Sequence, residues 1–64
     1  MASATVGQVW EVYSHHQNQW VPVVVAQIEH DAVIFRYEGT LELLRVSINE
    51  LESEPQRFRL RAAT

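Results

Sequence analysis

The stretch WVPVVVAQI, residues 20–28, constrains this chain more than any other. It holds four valines, which are stiff at χ1 and sit better on a pleated strand than in a helix. It is far shorter than the roughly 20 apolar residues that span a bilayer as a helix. Successive strand side chains point to opposite faces. Val21, Val23 and Val25 therefore take one face, and Trp20, Pro22 and Val24 the other. A half-exposed antiparallel strand alternates apolar with polar residues, whereas this one is apolar on both sides. Pro22 has no N–H to give to a ladder, which places the strand at a sheet edge or bends it there.

The rest of the chain reads as short runs of the same kind. Val6 to Tyr13 is rich in β-formers, with Trp10 and Val12 sharing a face toward the core. The polar segment Ser14 to Gln19 makes the first long loop. Glu29 to Ala32 is a tight turn, Val33 to Glu38 a strand with Val33, Phe35 and Tyr37 on one face, and Gly39-Thr40 the next turn. Leu41 to Val46 is a fourth strand, with Leu41 and Leu43 opposite Leu44 and Val46. Ser47 followed three residues later by Glu50 is a capping box. Ile48 and Leu51 share a face of the short helical turn it opens, which stops before Pro55. In Arg57 to Arg61 Phe58 and Leu60 alternate with arginines, a fifth short strand.

A chain of 64 residues makes one domain, and at this size the core is marginal. The expected organisation is a flexible segment 1–5, one domain over 6–61 and a loose tail 62–64. The chain has no cysteine, which excludes disulfides and thiolate metal sites and favours a cytoplasmic setting. MASATVG does not read as a signal peptide, and no membrane association is expected. The formal charge is −3 and all five basic residues are arginines. A nucleic-acid binder usually carries a basic excess, so that class is disfavoured.

Five short strands, tight turns and one late helical turn describe a small all-β barrel of the SH3-like class. Within that class, Gly7 to Leu51 resembles a Tudor domain in the order and spacing of its parts. These are a glycine, an apolar strand, a polar loop, an aromatic, a strand ending in an aromatic-glycine corner, and a leucine-x-x-leucine turn. The resemblance covers about two-thirds of the chain and implies a non-enzymatic module that holds methylated lysine or arginine in an aromatic cage. Carried over by position, the cage walls fall on Tyr13 (or Ser14, one residue on), Trp20 (or Val21) and Tyr37. The fourth aromatic position falls near Thr40 and the polar one near Glu42. At most three rings are thus available, and YEG stands where many such domains have DYG. The turn VSINELE also looks something like that of the type II dihydrofolate reductases. The Val-Gln-Ile-Tyr stretch those enzymes use has no counterpart here, so that activity is not expected.

The residues themselves carry little catalytic chemistry. His15 and His16 are neighbours that point apart in an extended loop, and His30 lies in another turn. A zinc site needs three or four converging ligands, so these histidines read as polar rim residues and no metal or cofactor is expected. The serines are Ser3, Ser14, Ser47 and Ser53, and none stands in a recognisable nucleophile–base arrangement. With only Gly7 and Gly39 there is no phosphate loop. Glu38, Glu42, Glu50, Glu52 and Glu54 form a late acidic cluster, a surface for a basic peptide or a solvated face. Arg57, Arg59 and Arg61 form a stripe that can touch phosphate or pair with those glutamates.

The expectation is a non-enzymatic binding module that docks a peptide or protein through Tyr13, Trp20 and Tyr37, with His15 and His16 at the rim. The alternatives are a structural homo-oligomer joined by outward Trp20, Val24, Leu41 and Leu43, and a nucleic-acid binder using Arg57, Arg59 and Arg61.

Overall fold

The structure is a computed structural model that describes residues 4–61. The expected loose tail at 62–64 and the first three residues of the expected flexible start lie outside the described residues. Of the latter segment, Ala4 packs against the core and the Thr5 N–H donates to Gln8 Oε1 at 3.1 Å.

Five strands and one short helix follow in chain order: β1 (Val9–Ser14), β2 (Gln19–Ile28), β3 (Ala32–Tyr37), β4 (Leu43–Ser47), α1 (Ile48–Ser53) and β5 (Phe58–Leu60). All pairings are antiparallel, and the strands form one sheet in the order β4-β3-β2-β1-β5. β4 and β5 are its two edges and do not pair with each other, so the ladder does not close into the expected barrel. The expected strands are all present with shifted ends. The first begins at Val9 because Val6 and Gly7 form a turn, and the fourth begins at Leu43 because Leu41 and Glu42 complete the preceding turn.

β2 is the central strand, which corrects the first of the two readings of Pro22, a sheet edge or a bend. Pro22 opposes Glu11 on β1, and its carbonyl accepts the Glu38 N–H at 3.2 Å. The absent N–H therefore falls at the turn end of the β2–β3 ladder, one step beyond the Val23↔Tyr37 pair, where a lost bond matters least. Farther along β2 the register shifts between Val25 and Gln27. This bulge leaves Ala26 unpaired and lets one long strand bend.

The faces follow the strand parity. Trp10, Val12, Val23, Val25, Val33, Phe35, Val46, Leu51 and Phe58 form one buried cluster. Phe35 is fully buried and meets Trp10 with ring centres 6.1 Å apart and planes tilted by 59°. Leu51 of α1 is buried and Ile48 packs against the same cluster, as the helical spacing requires. Leu60 was expected inward, but it lies at the end of an edge strand and is 49% exposed. The outer face is not bare either. Trp20 and Val24 are half-buried, and the exposed apolar residues of the expected patch are Leu41 and Leu43. Among the described residues no helix is long and apolar enough to cross a membrane.

Candidate functional site

Two turns at one end of the sheet shape the site. In the β1–β2 loop, Ser14 Oγ accepts the Gln17 N–H at 3.2 Å, which curls the chain back after β1. Asn18 then takes a left-handed conformation with φ 57°, tolerated by asparagine. Its Oδ1 accepts the Tyr13 hydroxyl at 2.6 Å. In the β3–β4 turn, Gly39 has φ 81°, a conformation open to glycine without strain. Thr40 staples that turn, its N–H and Oγ1 both donating to the Tyr37 carbonyl at 3.0 Å. Thr40 Oγ1 in turn accepts the Glu42 N–H at 3.1 Å.

Between these turns lies a groove of about 410 Å³. Val12, Val21 and Tyr37 line it from the sheet, with Tyr13, Ser14 and Gln17 from the first loop and Glu38, Thr40 and Glu42 from the second turn. The lining thus combines apolar walls, phenol rings, two carboxylates and hydroxyl groups, with no cationic side chain.

The three rings expected to converge divide between the two faces of the sheet. Tyr37 opposes Val23, which is buried, so Tyr37 stands on the core side and packs against the core. Tyr13 opposes Trp20 on the other side, three residues and hence one face away from Val23. Their rings meet edge to face with centres 5.4 Å apart. Tyr13 lies next to the end of its strand and borders the groove as well, but Trp20 does not line it. A single cage built from Tyr13, Trp20 and Tyr37 therefore does not form. His15 packs edge-on against Tyr13 at 5.0 Å, and His15 and His16 are both exposed in the turn. Among the described residues no three His, Cys, Asp or Glu side chains gather as a metal site requires.

The arginine stripe is engaged by glutamates. Arg57 pairs with Glu50 at 3.3 Å and Glu54 at 3.1 Å. Arg59 and Arg61 share Glu11 at 2.7 and 3.4 Å, rather than the late glutamates of the expected pairing. The Arg59 hydrogen bond holds the Glu11 carboxyl below its ordinary value; desolvation opposes this, and the charges of Arg59 and Arg61 add to it. Arg59 also lies over the Trp20 ring, 4.0 Å from its centre. Glu11 was not singled out by sequence reasoning, because its role depends on the β1–β5 register Glu11↔Arg59. Val12 was read only as a core residue, whereas Val21 and Ser14, the alternative positions for two cage walls, do line the groove.

No protein-family model, no curated protein and no solved structure matches this chain.

Proposed function

We propose that this domain is a non-enzymatic binding module of the SH3-like, Tudor-like kind, which docks a peptide or protein segment in the groove between the β1–β2 loop and the β3–β4 turn. The observation that carries the reading is the groove itself, a concave site with apolar walls and a few convergent polar groups. The strand order supports the class, since a four-strand meander takes the last strand back beside the first. Glu38, Glu42 and the Tyr37 ring favour a positively charged segment, because carboxylates and a π-face both attract a cation.

Short peptides graded from basic to acidic, titrated against the labelled protein, test this. Basic peptides are expected to shift the amide signals of Tyr37, Glu38 and Glu42, and Tyr37→Ala is expected to abolish binding while the fold persists. Shifts that gather elsewhere, or that ignore peptide charge, would sink the proposal.

A second reading, a homo-oligomer of structural role, is favoured by Leu41 and Leu43, which are 92% and 62% exposed beside the edge strand β4. Nucleic-acid contact through Arg57, Arg59 and Arg61 is disfavoured, because each guanidinium already faces a glutamate.

A further inference from the structure

Trp20 and Glu11 stand on the outer face of the sheet, apart from the groove, and hold a guanidinium between them. The Arg59 guanidinium carbon lies 4.0 Å from the Trp20 ring centre, and its Nε donates to Glu11 Oε1 at 2.7 Å. The register sets this up. Glu11 faces Arg59 on β5 and Pro22 on β2, and Trp20 is the next β2 residue on that face. Tyr13 stands edge-on to Trp20 and fixes the ring. An aromatic face beside an ionised carboxylate is the chemistry that recognises a planar, forked cation.

We propose that Trp20 and Glu11 form an arginine-binding site, occupied in cis by Arg59 and open to an arginine side chain of a partner protein when Arg59 swings away. Host and guest differ in how they are built in. The Glu11 side chain is only 16% exposed, whereas that of Arg59 is 51% exposed. Rotation of an exposed side chain takes picoseconds to nanoseconds, and it leaves the β1–β5 pairing and buried Phe58 in place. Arg61 lies 3.4 Å from the other Glu11 oxygen, so the carboxylate keeps a cationic neighbour while its principal guest is out. The site is separate from the groove, and its failure would leave the groove reading untouched.

The test uses N-acetylarginine methylamide, with the lysine analogue as control, read by the indole N–H resonance of Trp20. The Trp10 indole resonance reports the fold in the same spectrum. Arg59→Ala empties the site. The arginine compound is expected to shift Trp20 saturably and about fivefold more tightly than in the parent, where a tethered competitor at high effective concentration reduces the apparent affinity. Adding Glu11→Gln is expected to remove the response. Arg59→Gln serves if the alanine variant loses its fold, and in the parent excess ligand must move the Trp20 indole and Arg59 Nε–H signals together. The absence of a saturable shift, an equal response to the lysine compound, or a response that survives Glu11→Gln would each overturn the proposal.

Discussion

The indole N–H of Trp10 donates to Oε1 of Gln8 at 2.9 Å, and the same oxygen accepts the Thr5 N–H. Trp10 is 5% exposed, and a buried indole needs such a partner. Truncation to alanine removes the ring that meets Phe35 and costs about 3–5 kcal/mol. A domain this small has a total stability on the order of 5 kcal/mol. Trp10→Ala is therefore expected to be unfolded, or nearly so, by circular dichroism at 25 °C. Gln8→Ala is expected to stay folded and lose about 1–3 kcal/mol in urea titration, the cost of an unpaired buried donor. A Trp10→Ala protein that melts with the parent would remove Trp10 from the core.

Ser47 caps α1 with half of the expected capping box. Its Oγ accepts the Glu50 N–H at 3.0 Å, but the Glu50 carboxylate turns to Arg57 at 3.3 Å instead of reaching back. Ser47→Ala is expected to cost about 0.5–2 kcal/mol and Ser47→Gly only a few tenths. Glu50→Gln keeps the backbone donor, so its effect is expected to be smaller and to fade with added salt, as for any partly exposed ion pair. A Ser47→Ala protein as stable as the parent in chemical denaturation would show that the cap contributes nothing.

The pairing of Glu11 with Arg59 makes stability depend on acid. A carboxylate whose folded-state pKa is lowered from 4.5 contributes stability that is fully present above its unfolded value and is lost as pH falls through the folded one. Protonation weakens the bond to Arg59 and leaves Arg59 and Arg61 without their shared anion. The parent is therefore expected to be more stable than Glu11→Gln at neutral pH, and the gap is expected to close as pH drops below the ordinary carboxylate range. A gap that stays constant from neutral pH into acid would remove Glu11 from the account.

Local rules made much of this fold readable and left its long-range parts dark. β-Branched runs marked the strands, and parity placed Trp10 with Val12 and Val21 with Val23 and Val25. Ser47 and Pro55 bracketed the helix. Each of these signals lies within a few residues of what it describes. Of the two readings of Pro22 the edge position fails, because a proline is tolerated in a central strand when its missing N–H falls at the end of a ladder, and that depends on which strand lies beside it. The bulge at Ala26 has no mark in composition. The split of Tyr37 from Trp20 follows from the pairing Val23↔Tyr37, and the Glu11–Arg59 contact joins residues 48 apart. Registers are set by the packed core as a whole, so contacts across them emerge only with the sheet.

The two sheet edges differ in a way that bears on self-association. β5 spans only Phe58–Leu60, and its shortness, with Pro55 three residues before it, discourages edge pairing. β4 has no proline, and its one charge, Arg45, is turned onto Glu29 at 3.1 Å and Asp31 at 3.4 Å. Tyr37 donates to the Glu42 carbonyl, so by alternation Leu43 and Arg45 present their backbone groups away from β3. Leu43, with Leu41 two residues before it, adds exposed apolar surface to that open edge. Antiparallel pairing of β4 with β4 of a second copy would satisfy both and leave β5 at each outer end, so association stops at a two-fold dimer. Sedimentation at tens of micromolar is expected to give two chains per particle. Leu43→Lys is expected to return the monomer with its circular dichroism unchanged. Val24→Lys tests the face against the edge: Val24 lies inside the sheet, opposite Val9 and Arg36, and its replacement is expected to leave the dimer in place. A parent that sediments as one chain at that concentration would leave the β4 edge without a partner copy and remove the homo-oligomer reading.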